Sequence, residues 1–188
     1  KLLEQLRERI DRGDYQLIIG DDASGRIPAR IMHWVLQEVY KEKEMEGPEI
    51  RFFAGSGSLD DIRQEIEKFK KIKDFLEAPT IDRKYHHDNN IPMPRALRHS
   101  IKHALIVTES IQTGTSLSPL AAALRNQKIS CDVATVGLDW DGADEFETVK
   151  EAVSELSQKF AGNIFYGSED TPNIHRAYYL SGVEKLPH

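Results

Sequence analysis

The feature of this sequence that most constrains its fold is a regular alternation of short apolar runs with amphipathic segments. Apolar runs of strand length occupy residues 15–20, 49–54, 104–107, 131–138 and 163–166. In the segments between them, apolar residues recur every three or four positions, which is typical of helices with one buried face. Alternation of this kind favours a parallel sheet with helices on both faces. We therefore predict an α/β fold with an open, mainly parallel sheet flanked by helices.

The helix boundaries follow from the apolar spacing and from the residues that begin and end each segment. The predicted helices cover 2–10, from the turn containing Pro28 to about Tyr40, from Ser58 or Asp60 to Leu76, 117–126 and 144–160. A length of 188 residues fits one domain. We predict a single domain, 1–188, with an N-terminal helix in 1–14, a loop without periodicity at 77–95 and a C-terminal tail at 167–188.

Composition excludes several classes of protein. The chain has one cysteine, so an internal disulfide framework and a multi-cysteine zinc site are excluded. No apolar run approaches the roughly 20 residues of a membrane span, and no signal-peptide pattern opens the sequence. The net charge of −6 argues against a bulk nucleic-acid binder. These observations predict a soluble, cytoplasmic protein that does not bind membranes.

Two loops follow predicted strands and are rich in the residues that bind anions. The first is 20–29 (GDDASGRIPA), where Gly25 permits close approach of the backbone and Arg26 lies near a helix N-terminus. The second is 109–116 (ESIQTGTS), which offers hydroxyl groups, a glycine and the start of a helix. Ligands of open α/β sheets bind beyond the carboxyl ends of the strands, so both loops are candidate phosphate sites. The alternative for either loop is a plain turn with capping residues.

The second loop does not match the common nucleotide motifs. GxxxxGK[ST] and GxGxxG are both absent. Instead, residues 104–116 (ALIVTESIQTGTS) resemble the signature of the type I phosphoribosyltransferase family: an apolar strand, an acidic pair and a short Thr-Gly-rich loop opening a helix. The family's pyrophosphate loop, which follows the first strand, resembles residues 23–26 (ASGR).

The resemblance implies a ligand, a cofactor and a role for each loop. Residues 112–116 would hold the 5-phosphate of phosphoribosyl diphosphate, and Glu109 with Thr108 would face the ribose hydroxyls. Residues 22–26 would face the pyrophosphate, and Mg²⁺ would be held at Asp22 and Glu109. The reaction would transfer the phosphoribosyl group to a nitrogenous base. By residue, the implied phosphoribosyl site is Thr108, Glu109, Gln112, Thr113, Gly114, Thr115 and Ser116, and the implied pyrophosphate site is Asp22, Ala23, Ser24, Gly25 and Arg26.

Two positions depart from the family pattern. The first position of the acidic pair is Thr108, which can form a hydrogen bond but adds no negative charge. Gln112 stands where the purine-salvage branch has an aspartate, and an amide cannot act as a general base. Two alternatives therefore stay open: a non-catalytic module that binds phosphoribosyl diphosphate or a ribose 5-phosphate nucleotide, and a domain of this type within a multi-domain protein. Family members commonly pair, so a homodimer is a further expectation.

Several single residues outside the two loops are also candidates, and some have a simple structural alternative. Lys84, in the basic segment 82–88, is predicted to reach the pyrophosphate on loop closure and to be catalytic with Glu109; a solvated loop is the alternative. Adjacent histidines at 86 and 87 lack the spacing of a zinc site. Trp140 follows the fourth strand and is predicted to stack on the base, unless it only packs its loop. Trp34 is predicted to lie in the core, and Cys131 is predicted to be a small buried residue.

Overall fold

The computed structural model describes residues 1–21, 25–53, 101–138 and 148–169. Strands and helices alternate through these ranges, as the apolar pattern predicts. In chain order they are α1 (Leu2–Asp11), β1 (Leu17–Asp21), α2 (Arg26–Glu42), β2 (Glu49–Phe53), β3 (His103–Ile111), α3 (Ser118–Asn126), β4 (Ser130–Leu138), α4 (Val149–Phe160) and β5 (Ile164–Ser168).

The strands form one five-stranded sheet in the order β2-β1-β3-β4-β5, and every neighbouring pair is parallel. The predicted fold class is therefore confirmed. Because all strands point the same way, their carboxyl ends meet at one edge of the sheet. β1 and β3 are neighbours in the sheet although β2 separates them in the chain. The two loops singled out above therefore leave adjacent strands.

Two apolar clusters fill the space between the sheet and its helices. On one face, α1 and α2 cover alternate residues of the central strands, such as Ile18 and Leu105. On the other face, α3 and α4 pack over Leu17, Ile106 and their neighbours. Since side chains alternate along a strand, adjacent residues of β1 and β3 belong to different clusters. Burial on both faces explains why these strands are continuous apolar runs.

α2 departs from the prediction in one respect. Pro28 lies in its first turn as predicted, and its buried residues are Ala29, Met32, Leu36 and Tyr40. Trp34 is 64% exposed, so the prediction that it lies in the core was wrong. The buried residues recur every three or four positions, and Trp34 lies two positions from Met32 and Leu36, about 200° around the helix. Cys131, by contrast, is buried as predicted.

Several boundaries differ from the predicted ones. β3 continues four residues past Val107 because it keeps pairing with β4 as far as Ile111 and Leu138. β5 continues to Ser168, two residues into the predicted tail. α4 begins at Val149, and Thr148 caps it by accepting a hydrogen bond from the Glu151 N–H. The predicted helix ending at Leu76, the loop 77–95 and the tail from 170 lie outside the described residues. None of the described helices has the length and hydropathy of a membrane span.

Candidate functional site at the carboxyl edge of the sheet

The carboxyl edge of the sheet has a step between β1 and β3. β1 ends at Asp21, one residue beyond Gly20, which pairs with Val107 of β3. β3 continues four residues beyond Val107, still paired with β4. At about 3.3 Å per residue, β3 projects roughly 10 Å above the end of β1. The two candidate loops therefore begin at different heights on neighbouring strands.

The first loop returns directly onto the strand ends before α2 begins. The Gly25 N–H donates to the Asp21 carbonyl oxygen at 2.7 Å, and Gly25 is the N-terminal cap of α2. A Cβ atom at Gly25 would collide with the Val107 carbonyl oxygen and would lie 2.7 Å from the Asp21 nitrogen. Only glycine fits so close to two strands. This contact brings the N-terminus of α2 against β3, at the edge where the second loop starts.

The second loop is held down by α4. Gly114 has a φ of +65°, and a Cβ atom there would lie 2.6 Å from Cζ of Phe160. The Lys159 ammonium donates to the Thr113 carbonyl oxygen at 2.7 Å and to the Thr115 hydroxyl oxygen at 3.4 Å. The hydroxyl groups of Thr113 and Thr115 lie 2.9 Å apart. Both the left-handed backbone and the close packing therefore require glycine at 114.

The turn that precedes α3 is suited to an anion. The Gly114 carbonyl accepts from the N–H groups of Leu117 and Ser118 and from the Ser118 hydroxyl, which closes the turn. Within the described residues, the N–H groups of 113–116 have no acceptor. No side chain caps α3. Free amides beside an uncapped helix N-terminus, with the hydroxyls of this loop and the positive charge of Lys159, favour a phosphate group.

The acidic-pair positions are less accessible than the sequence suggests. Thr108 is 1% exposed, and its hydroxyl donates to the Ser110 carbonyl oxygen at 3.1 Å. Glu109 is half-buried within β3 rather than in a loop. On β4, the buried Thr135 pairs with Thr108, and its hydroxyl lies 2.7 Å from the Gly137 carbonyl oxygen and 3.3 Å from that of Glu109. Both threonine hydroxyls are therefore engaged with the backbone.

Sequence reasoning missed Asp21, the last residue of β1. Its side chain is buried, at 9% exposure, and its Oδ1 atom has no hydrogen-bond partner. Asp21 lies within the candidate loop 20–29, but the predicted pyrophosphate site begins at Asp22. A signal was present in the sequence: Asp21 is an acidic residue directly after an apolar strand, where a carboxylate meets the site.

The remaining predicted site residues divide into two groups. Arg26 begins α2 and places its guanidinium carbon 5.5 Å from the ring centre of Phe52, while Gln112 is exposed in the second loop. The other group lies outside the described residues, so its predicted roles stay predictions: Asp22, Ala23, Ser24, Lys84 and Trp140.

Whether this edge suits the Mg²⁺ that the resemblance implies depends on its oxygen ligands. No group of three or more acidic, histidine or cysteine side chains in the described ranges is arranged to hold a metal ion. Mg²⁺ does not need one, because it commonly takes one or two carboxylates and completes its shell with phosphates and water. The unpartnered oxygen of Asp21 fits that requirement as one carboxylate ligand, whereas Glu109 follows Thr108 on β3 and its side chain therefore belongs to the opposite face of the sheet.

A second buried carboxylate, Asp132, lies at the opposite edge of the sheet and is fully paired. Its Oδ2 accepts from the Tyr15 hydroxyl at 2.9 Å and lies 3.2 Å from Arg9 Nη1. Its Oδ1 accepts from the backbone N–H and the side-chain amide of Asn163 at 2.8 and 2.9 Å. Burial, with the adjacent Asp132 charge, raises the pKa of Tyr15, so its proton stays in this network.

Comparisons with known proteins are consistent with an α/β architecture and go no further. No protein-family profile and no curated protein sequence matches the chain. Among solved structures, it is similar to an orotate phosphoribosyltransferase from Aeropyrum pernix, with a TM-score of 0.47 and 14% identity over 89% of this chain and 65% of that one. It is also similar to a purine phosphoribosyltransferase from Pyrococcus horikoshii, with a TM-score of 0.39 and 16% identity over 73% and 70%. The chain thus spans less than two thirds of the length of the orotate enzyme.

Proposed function

We propose that this protein binds the phosphorylated ribose of phosphoribosyl diphosphate, or of a ribose 5-phosphate nucleotide, at the carboxyl edge of its sheet. The observation that carries the proposal is that two adjacent strands each lead, through a short turn, to a helix N-terminus without a side-chain cap. One is the uncapped N-terminus of α2 at Gly25, packed against β3. The other is the Thr113–Ser116 turn, with free amides at the start of α3. Two turns of this kind suit a ligand with phosphate groups at both ends.

The chemistry supported by this arrangement is phosphoribosyl transfer to a nitrogenous base. A ring nitrogen of the base forms a bond to the anomeric carbon as the bond from that carbon to the pyrophosphate oxygen breaks, and the proton of that nitrogen leaves with the pyrophosphate. The Gly25 turn would hold the departing pyrophosphate, and the Thr113–Ser116 turn would fix the 5-phosphate so that the ribose stays in place. Bound Mg²⁺ would supply positive charge to the pyrophosphate oxygens. Glu109 would accept hydrogen bonds from the ribose hydroxyls.

A non-catalytic binding module is the second candidate, and the placement of Thr108 favours it. The residue is buried and its single proton is already donated to the Ser110 carbonyl oxygen. A hydroxyl so engaged neither carries charge nor contacts a ligand without first giving up that bond. In this candidate, the two turns bind the ligand and no reaction follows.

Binding is tested with ribose 5-phosphate, which probes the Thr113–Ser116 turn without a diphosphate. Calorimetry is expected to detect binding to the unmodified protein, and Thr113→Val is expected to weaken it roughly tenfold, because a hydroxyl bond to a charged phosphate is lost. The matched control is Ser154→Ala, an exposed hydroxyl on α4. Absence of binding to the unmodified protein, or equal loss in both variants, would contradict the proposal.

Catalysis is tested separately by pyrophosphate release. The unmodified protein is incubated with phosphoribosyl diphosphate, MgCl₂ and single purine or pyrimidine bases, including orotate. Base-dependent release identifies a transferase and names the acceptor. Binding of phosphoribosyl diphosphate without release for any base identifies the non-catalytic module instead.

A further inference from the structure

We infer that Asp21 is the carboxylate through which this chain holds a divalent cation on a bound diphosphate, in place of the acidic side chain that Thr108 does not supply. The inference rests on the proposed function and deepens it by assigning a residue to the diphosphate half of the site. Asp21 was not among the residues that the sequence pattern singled out. Its environment carries the argument.

The first step is that one carboxylate oxygen of Asp21, Oδ1, is buried and has no hydrogen-bond donor. Its exposure is 9%, and no hydrogen bond reaches its Oδ1 atom. A buried polar atom without a partner is rare in folded proteins, because it loses its water without replacement. For a carboxylate that loss is larger still. Such a group persists where something else in the protein's working cycle supplies the partner.

The second step is that the neighbouring side chains do not supply it. Alternation along β1 puts Asp21 on the same face as Leu17 and Ile19, and continuing the register places it beside Thr108 of β3. The Thr108 proton goes to the Ser110 carbonyl oxygen. The next residue across the sheet is Thr135, whose single hydroxyl proton also goes to the backbone, with the Gly137 carbonyl oxygen at 2.7 Å and that of Glu109 at 3.3 Å. Both threonine hydroxyls therefore donate to main-chain carbonyl oxygens, and neither donates to Oδ1 of Asp21.

The third step concerns charge. The main-chain carbonyl of Asp21 accepts the Gly25 N–H at 2.7 Å, so the residue that carries the carboxylate adjoins the N-terminus of α2. That 17-residue helix has no side-chain cap and no acidic residue in its first turn, as expected where an external anion binds. A carboxylate this close would repel the same anion. A divalent cation between the two resolves the conflict, because it is attracted to both.

The fourth step is the choice of cation and ligand. Mg²⁺ binds oxygen, keeps several waters and is commonly held by one or two carboxylates with substrate phosphates. A diphosphate offers it two phosphate groups. Adjacent strands lie about 4.8 Å apart. Asp21 on β1 is therefore about one strand spacing from Thr108, the position at which the sequence pattern has an acidic residue. The ligand class is therefore a magnesium diphosphate.

The test uses inorganic pyrophosphate, titrated by calorimetry into the full chain with millimolar MgCl₂ or with EDTA. For the unmodified protein, Mg²⁺ is expected to raise the affinity at least tenfold. The Asp21→Asn variant is expected to bind pyrophosphate more weakly than the unmodified protein in Mg²⁺. In EDTA it is expected to bind more tightly, because the repulsion between carboxylate and pyrophosphate is gone. A purely structural role would change both affinities in the same direction.

Thermal unfolding without ligand supplies the second readout. Asp21→Asn removes a buried charge, one oxygen of which has no donor, with little change in shape, so its melting temperature is expected to rise by roughly 2–4 °C. The matched control is Asp132→Asn, which removes a paired buried charge. It is expected to melt lower and to keep the unmodified Mg²⁺ dependence.

The outcomes separate this inference from the proposed function. Equal pyrophosphate affinity with and without Mg²⁺ in the unmodified protein overturns the inference, and so does a Mg²⁺ effect that survives Asp21→Asn. Since ribose 5-phosphate reports on the other turn, its binding tests the proposed function in either case. Should Asp21→Asn fail to fold, the Mg²⁺ dependence of the unmodified protein still decides.

Discussion

Two buried carboxylates at opposite edges of the sheet differ in one respect, the number of their partners. Asp132 at the amino edge is 1% exposed and accepts from Tyr15 and Asn163 beside the Arg9 guanidinium. Asp21 at the carboxyl edge is almost as buried, yet one of its oxygens has no donor. The difference is not one of residue type or burial. It separates a fully paired carboxylate from the one to which we assign a ligand.

The comparison shows where this molecule gives up stability. At the amino edge, the buried charge of Asp132 has hydrogen-bond donors on both of its oxygens. At the carboxyl edge, the same sheet keeps an unsatisfied acceptor and uncapped helix N-termini. Sites that bind ligands commonly keep such unfavourable groups because the ligand later compensates for them.

The largest expected effect is at Asp132. Asp132→Asn is expected to lower the free energy of unfolding by about 3 kcal/mol, because Arg9 keeps its charge and loses the nearer of its two carboxylate partners. Chemical denaturation at neutral pH measures it. A cost below that of an ordinary surface substitution would show that the network is not structural and would remove the contrast with Asp21.

The next effect concerns the close approach at Gly25. Gly25→Ala is expected to cost about 2 kcal/mol, because a Cβ atom there meets the Val107 carbonyl oxygen and forces the backbone apart. It is also expected to abolish pyrophosphate binding. Unfolding and calorimetry on the same sample check both parts. If stability falls while pyrophosphate still binds, the Gly25 turn is a tight turn and not an anion site.

A smaller effect sharpens the comparison by making Asp132 resemble Asp21. Tyr15→Phe removes one of its donors, and the free energy of unfolding is expected to fall by about 1 kcal/mol. The same variant leaves the carboxyl edge intact, so its pyrophosphate affinity is expected to equal that of the unmodified protein. A change in that affinity would contradict the independence of the two edges.

The smallest effect is a pH dependence near the amino edge. The Arg12 hydrogen bond lowers the pKa of Asp14 below its ordinary value of 3.8. The folded carboxyl therefore binds protons less readily than the unfolded one, and its contribution is complete above about pH 4 and disappears as the pH falls through the folded pKa. Asp14→Asn is expected to reduce the loss in free energy of unfolding on acidification by less than 1 kcal/mol. Denaturation midpoints across that pH range test it.

The fold could be predicted because its signal is distributed over whole segments. Many residues support each predicted element: apolar runs indicate β1, β3 and β4, and helical spacing indicates α2 and α4. The parallel sheet follows from the order of these elements. Trp34 was mispredicted because a large aromatic residue was assumed to be buried, whereas the buried stripe of α2 passes through Met32 and Leu36.

The site was less predictable because it depends on pairs of residues far apart in the chain. Gly25 and Gly114 were identified as loop glycines, but their reasons, contact with Val107 and with Phe160, exist only in the folded chain. Lys159 gave no local signal, since a lysine in the last turn of a helix is ordinary. Asp21 could be noticed in the sequence, but its lack of a partner could not.

The step between β1 and β3 has a consequence for how the protein can vary. Beyond Val107, no described strand pairs with β3 on the side of β1, so the main chain of 109–111 forms a wall above Asp21. Peptide groups are the same whichever side chain is attached to them. A ligand bound by this main chain would therefore tolerate side-chain replacements at 109–111, whereas replacement of Gly25 or Asp21 would change its contacts. The shape of the edge itself is fixed by the different lengths of β1 and β3.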